Sequence, residues 1–423
     1  MSEFDKVIGY DLIKNDLLQV CDMVKNRDVY ARLGAKMPQG IILSGDPGLG
    51  KTLLAKCFIK ECGLKTYVIR RNRATDDFVG EITRIFDEAK ENAPSIVFLD
   101  DMDKFANEDR KHRDAEEYVA VQSGIDETKS SEVLVIATVN DIDKLPQSLT
   151  RAGRFDRTIE IEAPTEEDAE KIIRHYLSDK ITANDVNFDD LGKLISYSSC
   201  AELETLLNEA AIGAAYLRKD GIEMVDFVNA VLRMQYKAPN DYSKGSKEEI
   251  RKTAIHEAGH VVACEMLKEG SIGLASIRVV EYSGHAGFTH RCKEIDKETD
   301  IIVSLAGKAA VELYYSDNVA DGCRDDIRHA YRVLFDCYTN DGKGGFGMID
   351  DYDVHNGETS EFLISKVEPI IGAELERYLY KARDIIMKNR EFFEKVEEAL
   401  IEKETLLHSD IQKIKAETVT KAA

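Results

Sequence analysis

The stretch Gly40-Ile-Ile-Leu-Ser-Gly-Asp-Pro-Gly-Leu-Gly-Lys-Thr52 decides the fold of the first part of the chain. Its first five residues predict a short buried strand, and Leu53 to Cys62 predict a helix. Between them lies the pattern G-x-x-x-x-G-K-T, whose backbone N–H groups can wrap phosphates at a helix N-terminus. A glycine-rich turn without function is the alternative. The strand–loop–helix setting favours a nucleotide site formed by Gly45, Asp46, Pro47, Gly48, Leu49, Gly50, Lys51, Thr52 and Leu53.

Two acidic residues follow the next buried strand and complete this predicted site. Lys51 can reach the β- and γ-phosphates of a nucleotide, and Thr52 can ligate Mg²⁺. Ser95 to Leu99 predict a strand that ends in Asp100 and Asp101. The first carboxylate is expected to hold Mg²⁺ through water, and the second to polarise the attacking water. The sequence therefore predicts ATP and Mg²⁺ as cofactors.

Polar residues at the end of a third strand extend the same pattern. Residues 133–138 predict a strand, and Asn140 follows it where a side chain can sense the γ-phosphate. Arg151, Arg154 and Arg157 then lie within seven residues. Guanidinium groups suit phosphate recognition, and surface salt bridges are the alternative for them.

A second chemical motif occurs farther along, in the segment from Ser246 to Gly270. Ser246 with a glutamate three residues later predicts a capping box, and Gly270 predicts the helix end. On such a helix His256 and His260 share one face and can bind one Zn²⁺ ion. Zinc lowers the pKa of a bound water to about 7, and Glu257 can take its proton. A helix that carries these residues by chance is the alternative.

A catalytic zinc site needs a third protein ligand and an open fourth position. The third ligand must come from farther along the chain, and chemistry alone leaves four candidates: Glu312, Asp325, Asp326 and His329. We expect His285 and His290 to be surface or packing residues, and the same role is the alternative for His329.

Composition limits the classes of function. The chain has 423 residues, enough for two or three domains, and its net charge of −22 disfavours a nucleic-acid backbone as the main ligand. It contains no apolar run of about 18 residues and no signal-peptide pattern at its N-terminus. Eight cysteines occur without C-x-x-C pairing, which indicates reduced thiols. We therefore expect a cytoplasmic protein without a membrane anchor or nucleic-acid partner.

Changes of pattern along the chain predict its domains. A polar stretch with Pro and Gly precedes Ser246 and indicates a linker. Helical periodicity dominates the region before it. We predict an α/β nucleotide-binding domain over 1–163, a helical lid over 164–240, a linker over 241–250 and a zinc-binding domain over 251–423.

Long phrases of the chain are similar to a known family. The segments concerned are LGAKMPQGIILSGDPGLGKTLLAK, KENAPSIVFLDDMDKF and RAGRFDRTIEI. They resemble the AAA ATPase module of the FtsH family of ATP-dependent zinc metalloproteases, in a form without its N-terminal membrane anchor. The resemblance implies an α/β P-loop AAA+ core with an all-α lid, followed by a mostly α-helical metallopeptidase domain. It also implies a homo-hexamer that acts on unfolded or tagged proteins.

The resemblance also implies roles for individual residues. Asn140 matches the sensor residue, and Arg151 and Arg154 match the arginine fingers that reach a neighbouring subunit. In the peptidase domain, alignment on Gly322 and Ile327 implies Asp326 as the third zinc ligand. Further matches are a ligand-orienting role for Glu312, a peptide-binding edge strand at residues 287–290, and a substrate-gripping pore loop at Phe78, Val79 and Gly80. An ordinary hairpin is the alternative for residues 287–290.

Two departures from the family qualify its ATPase role. The segment after Phe78 is shorter than the family pattern, and a buried phenylalanine is the alternative interpretation of that residue. In the family, the strand that corresponds to residues 95–99 is followed by Asp-Glu, whereas in this chain it is followed by Asp100 and Asp101. The side chain of Asp101 is one methylene shorter than that of Glu, which predicts slower ATP hydrolysis. We predict an ATP-dependent zinc metalloendopeptidase that unfolds, threads and degrades proteins. The alternatives are a zinc peptidase on a nucleotide-gated, weakly hydrolysing scaffold, and an ATP-dependent protein remodeller.

Overall fold

The structure, a computed structural model, describes residues 2–71, 77–106, 115–129, 131–151, 153–238, 246–279, 286–315, 322–345 and 361–419. It divides the chain into two compact units. The first comprises Met1–Asp179 and Tyr197–Leu207, and the second comprises Lys180–Ser196 and Asn208–Ala423. Within the described residues, none of the helices combines the length and the apolar character that a membrane span needs.

A parallel sheet forms the centre of the first unit. Its strands, in the order β2-β3-β4-β1-β5, are β1 (Gly40–Ser44), β2 (Lys65–Ile69), β3 (Ser95–Leu99), β4 (Val133–Val139) and β5 (Arg157–Glu160). The helices of this unit are α1 (Asp11–Lys25), α2 (Arg27–Arg32), α3 (Lys51–Cys62), α4 (Phe78–Glu91), α5 (Ala115–Thr128) and α6 (Glu166–Leu177). Because parallel strands end at one edge of a sheet, the loops after β1, β3 and β4 share that edge.

Helices cover the sheet on both faces because the strands carry apolar residues on both sides. Ile42 and Val135 pack with apolar residues of α4 and α5 on one face. Ile41 and Leu134, their neighbours in sequence, pack with α1 and α3 on the other. Alternation along a strand explains the two cores, and burial on both faces explains why the sequence of β1 is a continuous apolar run.

The second unit is mostly helical. Its elements are α7 (Phe188–Leu194), the end of α8 (Cys200–Tyr216), α9 (Met224–Met234), α10 (Lys247–Leu267), β6 (Ile272–Val279), β7 (Ala286–Arg291), α11 (Lys297–Tyr314), α12 (Arg324–Thr339), α13 (Glu361–Lys388), α14 (Arg390–Lys403), β8 (Thr405–Leu407) and α15 (His408–Thr418). The strands form an antiparallel sheet in the order β7-β6-β8. One apolar core joins α10, α11, α13 and α14.

The fold class matches the prediction, whereas the predicted domain boundaries and the division seen here differ. The residues of the predicted lid, 164–240, are shared between the units, because α6 belongs to the first and α7 and α9 to the second. One cause is local, since the buried Asp190 of α7 accepts hydrogen bonds from the N–H and hydroxyl of Ser409. Half of the predicted linker, residues 241–245, lies outside the described residues.

The helix that carries the histidine motif begins where the sequence predicts. Ser246 caps α10, with the reciprocal hydrogen bonds between Ser246 and Glu249 that define a capping box. The helix ends at Leu267, three residues before the predicted Gly270. The capping box thus fixes the start of the helix that positions His256 and His260.

Candidate functional site

The phosphate-binding loop connects β1 to α3 as its sequence predicts. Lys51 is the first residue of α3, and its ammonium group donates to the carbonyl oxygens of Gly45 and Asp46, at 2.7 and 2.6 Å. Burial lowers the pKa of Lys51 below its ordinary value. The loop thus holds a buried cation beside its own backbone, at the place where phosphate would bind.

The predicted magnesium ligands lie together, with Thr52 in the first turn of α3 and Asp100 directly after β3. The hydroxyl groups of Thr52 and Thr138 both donate to Oδ1 of Asp100, each at 3.0 Å. Asp100 is only 4% exposed. A carboxylate and a hydroxyl at this distance are ligands that suit Mg²⁺ with a nucleotide, so the residues fit the predicted cofactor.

Asp101 and Asn140 line a cavity of about 560 Å³, which is also lined by Lys51 and Thr52. Asp101 has a left-handed backbone (φ 56°), its N–H donates to Thr138 Oγ1 at 2.9 Å, and its carboxylate pairs with Lys104 at 2.6 Å. The ion pair directs this carboxylate to its own helical turn. The lining of the cavity also includes Tyr10, Ile172, His175, Tyr176 and Cys200.

The two predicted arginine fingers differ in their surroundings. Arg154 makes a bidentate pair with Asp126, at 3.0 and 2.7 Å, and this pair lowers the pKa of Asp126 to about 2. Arg151 is exposed, and among the described residues it has no acidic partner. A finger must be free to reach another subunit, so the surroundings of Arg151 favour that role more than those of Arg154.

We expect the variants Arg151→Ala and Arg154→Ala to distinguish a finger that contacts phosphate from an arginine that stabilises the fold. Arg151→Ala should lower ATP turnover by about 100-fold without changing the thermal midpoint, because only a charge offered to phosphate is lost. Arg154→Ala should lower the midpoint, because Asp126 loses both hydrogen bonds that Arg154 donates to it. ATPase assays and thermal melts of both variants measure this. Equal ATPase loss with equal destabilisation would contradict the distinction.

Phe78 lies inside the fold and not on an exposed loop. It is the first residue of α4, is 6% exposed, and packs edge-on against Phe105 with ring centroids 5.4 Å apart. Val79 and Gly80 continue the same helix, and Asp77 caps it by accepting from the N–H of Gly80. The buried ring favours the alternative interpretation of a buried phenylalanine, and the pore loop at these residues stays a prediction.

The zinc motif brings three side chains together in the second unit. His256 and His260 present their Nε2 atoms 3.0 Å apart, and Oδ2 of Asp326 lies 3.1 Å and 3.5 Å from them. Ligand atoms about 2.1 Å from a tetrahedral ion lie about 3.4 Å from one another. The two nitrogens and one oxygen therefore match the ligand set of a catalytic zinc ion.

Charge favours the same assignment. Burial alone would raise the pKa of Asp326, but the hydrogen bonds with His256 and His260 lower it below its usual range. An ionised carboxylate is what metal ligation requires. Asp325, the neighbouring candidate, is 71% exposed and pairs with Arg328.

Helix α11 crosses α10 closely behind the histidines. A Cβ atom added to Gly307 would lie 2.4 Å from His256 Cε1 and 2.6 Å from His260 Nε2. The carbonyl oxygen of Val303 lies 2.7 Å from Nδ1 of His260, which leaves Nε2 for the metal. Neither residue was found by sequence reasoning, because the contact depends on where two distant helices cross.

Glu257 faces the cleft beside the ligands, which has a volume of about 410 Å³. Its Oε2 accepts a hydrogen bond from Thr289 of β7 at 2.7 Å, and it is 2% exposed. Burial raises the pKa of Glu257 above its ordinary value, against the opposing effect of the two histidines. A buried carboxylate beside a metal site is a suitable general base.

Arg291 and His329 also line the cleft, and both contact Asp300, a residue that sequence reasoning did not single out. Asp300 of α11 contacts the guanidinium group of Arg291 of β7 through one oxygen, and Nε2 of His329 of α12 through the other at 2.8 Å. The prediction for Glu312 is wrong, because its two oxygens pair with Lys308 and with Arg383 and not with a zinc ligand. His290 packs inside the unit, as expected, and burial lowers its pKa to about 4. His285 lies outside the described residues.

Comparison with known proteins agrees with both sites. The family model "ATPase family associated with various cellular activities (AAA)" matches residues 41–163, and the model "Peptidase family M41" matches residues 244–414. The class is therefore an AAA ATPase module joined to an M41 zinc peptidase domain.

Curated relatives narrow this class to one family. The ATP-dependent zinc metalloproteases FtsH from Caldicellulosiruptor bescii and Mycoplasma mobile are 30% and 28% identical to this chain in sequence. Each alignment covers 97% of the chain. FtsH 3 from Symbiobacterium thermophilum is 30% identical over 97%. The chain belongs to the FtsH family of ATP-dependent zinc metalloproteases. It spans 71% of the first of these relatives, 62% of the second and 70% of the third. The predicted family is confirmed.

Proposed function

We propose that this chain is an ATP-dependent zinc metalloendopeptidase that unfolds, threads and degrades proteins. The observation that carries the proposal is the convergence of His256, His260 and Asp326, whose ligand atoms lie within 4.8 Å of one another, with Glu257 in the same cleft. Glu257 also argues against a remodeller with a structural zinc site, because such a site needs no general base.

The residues of the cleft divide the work of peptide hydrolysis. Zinc, when bound, supplies Lewis acidity that polarises the peptide carbonyl. Thr289 holds one oxygen of Glu257, and this carboxylate takes the proton of the attacking water and delivers it to the leaving amine. Strand β7 pairs only with β6 among the described strands. Its outer edge can bind an extended substrate by strand addition.

The first unit supplies the energy in this proposal. Lys51 binds the phosphates, and Thr52 and Asp100 hold Mg²⁺. The hydrogen bond between Thr52 and Asp100, at 3.0 Å, supports this pair as the magnesium ligands. Asn140 senses the γ-phosphate. We further propose a homo-hexamer, in which Arg151 reaches the neighbouring nucleotide, and a cytoplasmic location, supported by eight free cysteines.

The test is degradation of a loosely folded fluorescent protein by the full chain with ATP, with ADP and without nucleotide. Glu257→Gln runs alongside as the blank. We expect loss of fluorescence only with ATP, and none in the variant. ATP turnover without cleavage would overturn the proposal in favour of a remodeller.

Two observations favour a second candidate, a zinc peptidase on a nucleotide-gated scaffold that hydrolyses ATP weakly. Phe78 is buried, and Asp101 pairs with Lys104. Cleavage of the unfolded but not the folded form of one substrate, indifferent to ATP hydrolysis, would select this candidate.

The effect of the shorter Asp101 can be measured directly. We expect Asp101→Glu to raise ATP turnover about tenfold, because the added methylene brings the carboxylate nearer the attacking water. Asp103→Glu, at the next acidic position of the same turn, is the control and should not do so. The measurement is steady-state phosphate release at saturating ATP. A rate no faster than that of the native chain would remove side-chain length as the explanation.

A further inference from the structure

The two faces of strand β7 contact different parts of the second unit. On one face, Thr289 donates to Glu257, and the backbone at Gly287 lies so near that a Cβ there would be 2.4 Å from Glu257 Oε1. On the other face lie Phe288 and His290. This alternation follows from the period of a strand. Whatever holds the second face therefore fixes the strand that contacts the general base.

Tyr236 is the main contact on that second face. Its ring stacks on the ring of Phe288, with centroids 4.1 Å apart and planes 8° from parallel. It also meets the ring of His290 edge-on, at 6.2 Å. Ser196 adds a hydrogen bond to Nε2 of His290 at 3.0 Å. Aromatic pairs of this geometry contribute beyond the area they bury.

Strand β7 depends on this support because its own pairing is limited. It lies at the edge of its sheet, and its pairing with β6 shifts register twice, between Ile272 and Leu274 and between Ser276 and Val279. Bulges loosen a ladder and are found beside active sites. The side contacts from Tyr236 and Ser196 therefore complete the restraint of β7.

We propose that Tyr236 is a positioning residue for peptide hydrolysis: it holds β7 through Phe288, so that Thr289 keeps Glu257 aimed into the cleft. Tyr236 follows α9, and both lie in the predicted lid. The strand beside the general base is thus held by the segment that leads from the predicted lid to the peptidase helix α10. This inference rests on the proposed function.

The test uses the full chain and a short, unstructured fluorogenic peptide, which needs no unfolding. We expect Tyr236→Ala to lower kcat about tenfold with unchanged zinc content, since the base is less well aimed. Tyr236→Phe keeps the ring and should restore kcat. Tyr216→Ala removes a tyrosine that is 82% exposed on α8, and it is the matched control with kcat unchanged.

Hydrogen exchange supplies a readout that does not require activity. Amides of residues 286–291 should exchange faster in Tyr236→Ala than in Tyr236→Phe, while those of α10 stay protected. Unchanged exchange in β7 would overturn the inference. So would a kcat of Tyr236→Phe as low as that of Tyr236→Ala. If the native chain cleaves no peptide, the proposed function fails, and the exchange of β7 still decides whether Tyr236 holds the strand.

Discussion

Asp326→Ala should release zinc and reduce peptide hydrolysis to background. Its Oδ2 is the one carboxylate oxygen close to both histidine nitrogens among the described residues, at 3.1 and 3.5 Å. Changes to partners outside the ligand shell already cost about 10- to 100-fold in metal affinity, and loss of a ligand costs more. Zinc content after dialysis against a weak chelator, and cleavage of a short peptide, measure the two effects.

Asp325→Ala is the matched control, because it removes the adjacent carboxylate of the same helical turn. Asp325 is 71% exposed and pairs with Arg328. We expect its variant to keep zinc and hydrolysis, since surface pairs contribute little. ATP turnover should be unchanged in both variants, because the nucleotide cavity lies in the other unit. Zinc loss in Asp325→Ala with retention in Asp326→Ala would reverse the assignment.

Sequence reasoning succeeded where chemistry is carried by local spacing. His256 and His260 lie four apart on α10, and the capping box at Ser246 fixes where that helix begins. The strand–loop–helix setting likewise placed Lys51 and Thr52 beside the strand end that carries Asp100. Helical and strand periodicity decide such contacts before tertiary packing does.

Sequence reasoning failed where a contact joins elements that are distant in the chain. Phe78 matches a pore-loop phrase, which stays a prediction, but the phrase does not show that Phe78 begins α4 and packs against Phe105. Glu312 matches a ligand-orienting residue, but Arg383 of α13 takes one of its oxygens. A motif gives the type of a residue and its approximate place. The residues that this residue contacts depend on tertiary packing, which a single sequence does not show.

Gly307 illustrates the same limit and carries the second large effect. It lies on α11, where the nearest atoms to an added Cβ would be Cε1 and Nδ1 of His256 and Nε2 of His260, at 2.4, 2.6 and 2.6 Å. The same crossing is tight at Gly259, whose Cβ would lie 2.5 Å from the carbonyl oxygen of Ala306. Gly307→Ala should therefore displace both imidazoles and push the two helices apart.

We expect Gly307→Ala to lose zinc and peptide hydrolysis, and to lower the free energy of unfolding by about 1–3 kcal/mol through overpacking. Gly372→Ala, within α13, meets no atom within 4 Å and is the matched control. It should keep zinc and gain about 0.5–1 kcal/mol from helix propensity. Zinc analysis and urea unfolding measure both. Asp326→Ala removes a ligand without overpacking. If Gly307→Ala is the less stable of the two variants after both are treated with chelator, the helix crossing and not the loss of zinc is the cause. Native zinc content in Gly307→Ala would show that the helices can yield, and that their close approach does not determine the site.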